Sequence, residues 1–259
     1  MDAGGGDGMN NVLSYLFDGA SWTVEGGLLE QLVQQLLLTV TALVASMAVG
    51  LPIALYLGRI GRFGFLAINV SNMGRAVPTY ALLALLASFS WPGSGEFGPY
   101  GRAGLATLVA LVLFALPPII TQSYVAMREV APEAKEAARG MGMTGSQQFW
   151  RVELPLGLPL VVSGIRLALV QVWATATIAA LVGGPGLGNV IRLGFANTDR
   201  RSEGIAGALL VAAIALVLEG GAALVQRAVD PVPRGPGQKA EGRLSVLPPT
   251  VGATAPRDG

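Results

Sequence analysis

The chain has 259 residues, of which 52% are hydrophobic and only 13% are charged, and its formal net charge is +1. Soluble domains carry about a quarter charged residues, so this is the composition of a membrane protein, and so small a net charge creates no field that would attract nucleic acid. The absence of cysteine and histidine excludes disulfides, thiolate or imidazole metal sites and Ser-His-Asp triads.

Residues 1–30 are too polar and too rich in glycine to cross a membrane. They lack the basic start of a signal peptide, and either Met1 or Met9 could be the first residue. We expect this segment to be an extracytoplasmic or interfacial lead-in. Its aromatic side chains are expected at the level of the lipid headgroups: Tyr15, Phe17 and Trp22.

Five apolar runs follow, each long enough to cross a bilayer as a helix. They cover about residues 32–57, 63–91, 104–127, 156–182 and 204–225. The sequence therefore predicts an all-α integral membrane protein with about five transmembrane helices.

Two segments, residues 63–91 and 229–259, differ from a regular span. The run 63–91 is interrupted by polar residues and by Pro78, so both one kinked helix and two half-helices are compatible with it. Residues 229–259 are rich in proline, glycine and charge, and we expect them to form a disordered cytoplasmic tail. The transmembrane domain is then expected to occupy residues 31–228.

A polar segment, residues 129–155, separates the third run from the fourth. Pro132 suits the first turn of a helix, and Glu133 suits its positive N-terminal end. Thr144 and Gln147 have the spacing of a capping box, which predicts a second short helix.

Small residues recur every fourth position in this segment, at Ala134, Ala138 and Gly142. On a continuous helix they would form a flat stripe that another surface could approach closely. For an isolated segment, an ordinary solvated loop helix is an equally good interpretation.

The spacing of the segment favours the first interpretation. Its fixed positions are Glu136-Ala137-Ala138, three residues, Gly142, nine residues, Val152, one residue and Leu154-Pro155. This pattern resembles the EAA loop of permeases in binding-protein-dependent ABC importers, with Val152 in place of the family's isoleucine. The resemblance implies a cytoplasmic coupling helix that docks in a separate ATPase subunit.

The distribution of lysine and arginine gives the orientation. With five spans, most of these residues fall on the side that carries residues 129–155, which the positive-inside rule makes the cytoplasmic side. The N-terminus is then outside and the C-terminus inside. The chain contains no G-x-x-x-x-G-K-[ST] phosphate loop, so we expect no catalytic residue and no cofactor here, and ATP hydrolysis on another polypeptide.

Three charged residues lie within the expected spans: Arg75, Arg166 and Glu219. Each costs about 2.5–3.5 kcal/mol on insertion scales, so such residues usually face protein or water. At about 1.5 Å per residue, all three lie at a similar depth from the cytoplasmic face. We hypothesise that Glu219 pairs with one of the two arginines; the alternative is that each side chain reaches separately to an interface.

The glycine-rich segment 183–188 follows a span, so it does not have the context of a nucleotide-binding loop. It resembles a glycine-rich segment that lies near the external gate in osmoprotectant permeases. A purely structural turn is an equally good interpretation. The candidate pathway or gate residues are Arg75, Pro78, Arg166, Gly184, Gly186, Gly188 and Glu219.

Further segments extend the resemblance to osmoprotectant permeases: Gly50-Leu51-Pro52, 75–83, 163–166 and 179–188. The chain is similar to the plasma-membrane permease subunit of a glycine betaine, choline, carnitine or proline uptake system. The resemblance implies four kinds of partner, namely an ABC ATPase dimer, an extracytoplasmic substrate-binding protein, a second permease that is identical or paralogous, and the lipid bilayer. The aromatic residues of the spans are too scattered to indicate an aromatic cage for a quaternary ammonium group.

Other functions stay open at this point. Within the class, the alternative is a permease for methionine or another amino acid. Outside it, an ion-coupled secondary transporter would be expected to show inverted repeats and several intramembrane carboxylates, whereas the spans carry only Glu219. A non-transporting membrane scaffold is the third possibility.

Overall fold

The computed structural model of the protein describes residues 4–61, 69, 77–89 and 104–229. Regular structure in these residues is helical. The α-helices are α1 (Gly4–Phe17), α2 (Gly19–Thr23), α3 (Leu28–Ile60), α4 (Thr79–Ser88), α5 (Gly104–Arg128), α6 (Pro132–Gly140), α7 (Gly145–Gln148), α8 (Leu154–Ala179), α9 (Gly188–Ala196) and α10 (Arg201–Val229). A π-helical turn covers Phe149–Glu153, and short 3₁₀ turns cover Ala180–Val182 and Thr198–Arg200.

Four helical stretches of the described chain are long and apolar enough to cross a membrane: Leu28–Ile60, Gly104–Arg128, Gly145–Val182 and Thr198–Val229. They match four of the five expected runs, so the all-α membrane fold is confirmed. Helix α3 extends beyond its apolar run because its polar ends are compatible with helix termini, with Glu30 in the first turn and left-handed Gly61 after the last.

The other expected run, residues 63–91, lies mainly outside the described residues, and so does Arg75. Within it, α4 begins directly after Pro78, whose fixed φ suits the start of a helix. The number of helices in this run stays a prediction. The expected cytoplasmic tail also lies outside the described residues.

Helices α3, α5 and α8 form the centre of the molecule. Their shared core is made of small and branched side chains: Leu38, Ala42, Leu111, Ala115, Ile119, Ala168, Val172 and Ala176. Lipid is as apolar as leucine, so helices in a membrane associate through close packing. A methyl group on Gly58 would lie 2.7 Å from the Tyr124 carbonyl oxygen, and one on Gly164 would lie 2.7 Å from Gln122 Cβ. Glycine is therefore needed where these helices touch.

Prolines within the spans do not end the helices. Helix α3 continues through Gly50-Leu51-Pro52, and α5 continues through Pro117-Pro118. A proline in a membrane helix is tolerated when neighbouring groups satisfy or shield the carbonyls that it frees. Ser46 in this core has acceptors on two helices, since its hydroxyl donates to Ala42 O at 2.7 Å and lies 3.2 Å from Val112 O.

The N-terminal lead-in is helical and packed. Its residues form α1 and α2, and α1 packs against α10. Tyr15 and Trp22 are half-buried and pack against a buried cluster of Leu28, Trp173 and Leu187, whereas Phe17 is exposed. Their level in the membrane stays a prediction. Burial raises the pKa of the Tyr15 hydroxyl, and the nearby Glu203 carboxylate raises that pKa further against the opposing effect of Arg200. The packing partners are distant in sequence, which is why local composition did not reveal them.

Helix α9 crosses the start of α10 at two glycines. A methyl group on Gly194 would collide with the backbone nitrogen and Cα of Gly204. Backbone cannot rotate away as a side chain can, so this crossing requires glycine at position 194.

We therefore expect Gly194→Ala to destabilise the protein by about 1–3 kcal/mol, the usual cost of overpacking. The measurement is the thermal unfolding of the detergent-purified chain, compared with the unsubstituted protein. Gly220→Ala is the matched control, because a methyl group there has nothing within 4 Å and alanine favours a helix. Equal melting temperatures for the two variants would contradict the close crossing.

Candidate functional site

The polar segment folds as two short helices in the positions that the sequence predicts. Helix α6 begins with Pro132 in its first turn and Glu133 beside it. Helix α7 is preceded by a full capping box: Thr144 N donates to Gln147 Oε1 at 2.9 Å, and Gln147 N donates to Thr144 Oγ1 at 3.4 Å. Both predicted helix starts are confirmed.

Gly142 ends α6 through its backbone conformation. Its φ is +74°, in the left-handed region that favours glycine. Gly142 N donates to Arg139 O at 2.9 Å, and Met143 N donates to Ala138 O at 3.1 Å. These two bonds are the pair that defines a Schellman cap, in which the left-handed residue follows the helix. The glycine of the motif therefore sets the angle at which the chain leaves α6.

This cap corrects the expectation of a continuous small-residue stripe. Gly142 lies outside the helix, so it does not extend the row formed by Ala134 and Ala138. Ala138 is buried within this chain, whereas Glu136 and Ala137 are exposed. The surface open to another protein is thus the face with Glu136 and Ala137, and Ala138 serves the packing of α6 against its own chain. A sequence period of four could not reveal where the helix would end.

Arg59, at the last turn of α3, joins that span to the polar segment. Its Nε lies 3.1 Å from Glu153 Oε2, and a second guanidinium nitrogen donates to the Gly145 carbonyl. Its guanidinium carbon also lies 5.4 Å from the centre of the Phe149 ring. The Glu153 side chain is only 5% exposed and that of Arg59 is 36% exposed, so the carboxylate depends on this arginine for its neutralisation.

The last positions of the motif, Val152, Leu154 and Pro155, lead from this junction into the next span. Val152 is half-buried in the π-helical turn Phe149–Glu153, and α8 begins at Leu154 with Pro155 in its first turn. Such π-helical turns are frequent at functional sites.

A third attachment ties α6 to the end of α5. Lys135 Nζ donates to Met127 O at 3.1 Å, so it occupies one of the last carbonyls of that span. The polar segment is therefore bound to α3 through Arg59, to α5 through Lys135, and to α8 by direct chain continuity.

The mid-span charges form an ion pair between α8 and α10. Arg166 Nε donates to Glu219 Oε1 at 2.8 Å, a second nitrogen donates to the same oxygen, and NH1 donates to Gln226 Oε1 at 2.8 Å. The hypothesis that Glu219 has an arginine partner is confirmed, with Arg166 as that partner. The two side chains stay 32% and 37% exposed, so the pair lies at an open surface of the described chain.

The glycine-rich segment is packed inside the protein, since residues 184–188 are all buried. Two glutamines of α3 hold it: Gly186 N donates to Gln31 Oε1 at 3.1 Å, and Leu187 N donates to Gln35 Oε1 at 2.9 Å. Gln35 also donates to Thr177 Oγ1 at 2.9 Å. Gly184, Gly186 and Gly188 thus belong to a turn fixed against the first span, which fits the structural interpretation; a role in gating stays a prediction.

Sequence reasoning missed the groups that hold the site together. Arg59 entered only as one of many positive residues, and Glu153, Gln31 and Gln226 received no role. The available signal was Glu153, a carboxylate directly before Leu154-Pro155 at the start of a span, because an unpaired charge in such a position is costly. Among the described residues, no group of three or more acidic, histidine or cysteine side chains could hold a metal ion.

Replacing Gly142 tests the cap. Gly142→Ala is expected to cost roughly 1–2 kcal/mol, because a left-handed conformation disfavours a β-carbon and no neighbour lies within 4 Å to add a clash. Gly142→Asn is the matched control, since asparagine adopts this conformation more readily. Hydrogen exchange of the amides of residues 139–143, followed by mass spectrometry, should be faster in the alanine variant than in the asparagine variant. Equal exchange would contradict the cap.

Replacing Arg59 tests the junction. Arg59→Met is expected to destabilise the protein by about 1–3 kcal/mol, because it leaves the buried Glu153 carboxylate without its partner. The double variant Arg59→Met/Glu153→Gln should regain part of this loss, since no unpaired charge is left. Thermal unfolding in detergent measures both effects. The single variant Glu153→Gln completes the comparison. If the double variant loses as much stability as the two single variants together, the pair is not coupled.

Comparison with known proteins identifies the family. Residues 35–231 match the family model described as "Binding-protein-dependent transport system inner membrane component". The chain is 34% identical over 192 residues to the carnitine transport permease OpuCB of Listeria monocytogenes, covering 74% of this chain and 83% of that protein. It is 30% identical to the osmoprotectant import permease OsmW of Salmonella typhimurium, covering 81% and 92%, and 28% identical to the glycine betaine/carnitine/choline permease OpuCB of Bacillus subtilis, covering 86% and 95%.

Solved structures show the same fold. The MetNI methionine ABC transporter in an inward-facing conformation aligns with a TM-score of 0.65 at 22% identity, covering 78% of this chain and 95% of that chain. An amino acid ABC transporter solved with histidines aligns with a TM-score of 0.62 at 19% identity, covering 78% and 93%. The helical architecture, the capped polar segment between spans and the match over most of the length lead to one conclusion. The chain belongs to the family of inner-membrane permease components of binding-protein-dependent ABC importers.

Proposed function

We propose that this permease conducts small osmoprotectants such as glycine betaine, carnitine, choline or proline into the cell. The observation that carries the proposal is its similarity to the carnitine permease of Listeria monocytogenes, at 34% identity over 83% of that protein. The osmoprotectant permease of Salmonella typhimurium supports the same substrate class at 30% identity.

The proposed transport cycle uses a separate ATPase dimer, because the chain has no phosphate-binding loop of its own. A substrate-binding protein delivers the substrate on the outer side, and a second permease, identical or paralogous, completes the pathway. In this arrangement the N-terminus lies outside and residues 129–155 and the C-terminus lie in the cytoplasm, as the positive-inside rule favours. The lead-in, the transmembrane domain of residues 31–228 and the cytoplasmic tail keep the boundaries that the sequence suggests.

The polar segment is the proposed coupling element, with Glu136 and Ala137 as the contact with the ATPase. Ala138 and Gly142 would fix the shape of that contact, and Val152, Leu154 and Pro155 would carry motion into α8. The three attachments to α3, α5 and α8 support this role. A movement of the segment can be passed to these helices only if the segment is bound to them. The candidate pathway or gate residues Arg75, Pro78, Arg166, Gly184, Gly186, Gly188 and Glu219 keep their proposed roles.

A second candidate is uptake of methionine or another amino acid. The two aligned structures belong to such transporters, but at 22% and 19% identity their likeness concerns the fold alone. The more similar sequences carry osmoprotectants in their names, so we favour that class.

Reconstitution of the whole system tests the proposal. The permease, purified with its partner ATPase and binding protein, should take up radiolabelled glycine betaine into ATP-loaded proteoliposomes at least about tenfold faster than methionine. ATP hydrolysis should increase when the loaded binding protein is added. Faster uptake of methionine would favour the second candidate, and a permease that purifies without any ATPase would contradict the coupling proposal.

Replacing the exposed face of α6 tests the coupling role separately. Ala137→Trp should leave the stability of the permease unchanged, since Ala137 is exposed, and should reduce uptake by about tenfold or more by blocking a close contact. Ala137→Ser is the matched control, because it keeps a small side chain at the same exposed position and should leave uptake nearly unchanged. Unchanged uptake by the Ala137→Trp variant would contradict docking through this face.

A further inference from the structure

A cavity of about 380 Å³ lies between α8 and α10, directly beside the mid-span ion pair. Its volume is within the range of about 300–1,000 Å³ that is typical of small-molecule sites. Arg166 is the charged residue of its wall, and the other lining side chains are aliphatic, among them Val162, Leu169, Val217 and Val225.

The ion pair has unused hydrogen-bonding capacity on both partners. Arg166 has five N–H donors, and three of them donate to Glu219 and Gln226. Among the described residues, the other two N–H groups find no acceptor and Glu219 Oε2 accepts no hydrogen bond. One side of the pair can therefore still receive an anion, and the other can still receive a cation.

The wall of the cavity on α10 is open at Gly221. Gly221 lines the cavity, and a β-carbon there would meet no atom within 4 Å. A solute could therefore approach α10 at this position.

The surroundings exclude lipid hydrocarbon as the normal neighbour of the pair. An arginine and a glutamate at this depth, each about a third exposed, would be strongly disfavoured against acyl chains. The face that carries them is therefore covered by water or by protein in the assembled transporter. If water covers this face, the open side of the ion pair and the aliphatic cavity beside it can contact a small polar solute.

We propose that this cavity is a transient binding subsite for a zwitterion that carries a carboxylate and a methylated ammonium group. The carboxylate would accept hydrogen bonds from the two unused N–H groups of Arg166. The methyl groups of the ammonium would contact the aliphatic wall, which suits their weak hydration. Glu219 is bonded to Arg166 but is not part of that wall, so it would attract the ammonium from beyond contact distance. The inference rests on the proposed function and adds a substrate-selective step inside the permease itself.

The chemistry predicts selectivity between two related solutes. A zwitterion can align its two charges against the Arg166–Glu219 pair, and both ends are then attracted. A cation without a carboxylate is attracted by Glu219 and repelled by Arg166, so it gains little from the pair. Glycine betaine and choline are suitable probes, because both carry a trimethylammonium group and only glycine betaine carries a carboxylate.

The test compares uptake of the two probes by the complete transporter in proteoliposomes, at concentrations below half-saturation. In Arg166→Gln/Glu219→Gln both charges are removed together, so no unpaired charge is left in the span. We expect the ratio of glycine betaine to choline uptake to fall by about tenfold, the effect of losing one charge-assisted hydrogen bond. The binding protein is the same in every preparation, so its own preference cancels in this ratio.

The matched control is Arg200→Gln/Glu203→Gln, which removes the other Arg–Glu pair of α10 and its preceding turn, outside the cavity. It should leave the uptake ratio unchanged. If the first double variant fails to assemble, Arg166→Lys replaces it. That variant keeps the charge without the planar fork, so the ratio should fall in the same direction by a smaller factor.

The outcomes separate the subsite from the function on which it rests. An unchanged ratio, with uptake of both probes retained or lost to the same extent, overturns the subsite and leaves the proposed function standing. A wild-type complex that takes up neither probe but does take up methionine overturns the proposed function, and the subsite with it. A selective loss of glycine betaine uptake supports the subsite.

Discussion

Close backbone contact between spans is the constraint on which this structure depends. Helices in lipid gain little from burying apolar side chains against each other, so they must fit together closely. At Gly58, Gly164 and Gly194, atoms of a neighbouring helix occupy the space that a β-carbon would need. The tight core of α3, α5 and α8 that results is a rigid frame. Every functional feature of the molecule is attached to it.

The polar segment shows how such a frame can be moved from one side. Its two short helices are held in shape by local devices, a capping box before α7 and a left-handed glycine after α6. Its attachments to the frame are non-local, through Arg59 to Glu153 and through Lys135 to the end of α5. The segment is therefore connected to three helices, α3, α5 and α8, and each connection lies at the end of the helix.

These two kinds of contact also explain what the sequence could predict. Composition and apolar run length located four described spans to within a few residues, and capping patterns located the starts of α6 and α7, because these depend on neighbouring residues alone. The end of α6 at Gly140 and the burial of Ala138 depend on a backbone reversal and on the rest of the fold. Similarly, depth in the membrane narrowed the partners of Glu219 to two arginines, and only the arrangement of α8 against α10 brings Arg166 to it.

The glutamines of α3 illustrate a further limit. Gln35 lies near the start of a span, yet it is fully buried and bonded to the backbone of the glycine-rich turn. Nothing within ten residues of Gln35 in the sequence indicates this, since the turn lies about 150 residues away along the chain. The turn is fixed by the first span, and the span gains a satisfied polar group.

The manner in which α10 is attached has a consequence for how the protein works within its assembly. In the described chain, its buried residues are confined to one end, at Gly204, Ala206 and Gly207, where it crosses α9. Its middle part packs against the cluster of Leu28, Trp173 and Leu187, and Trp173 Nε1 donates to Val211 O at 3.1 Å. Further along, Arg166 reaches Glu219 and Gln226. Residues 219–229 are half-buried or exposed in the described chain, so the inclination of this end depends on the lipid or protein that covers it in the membrane.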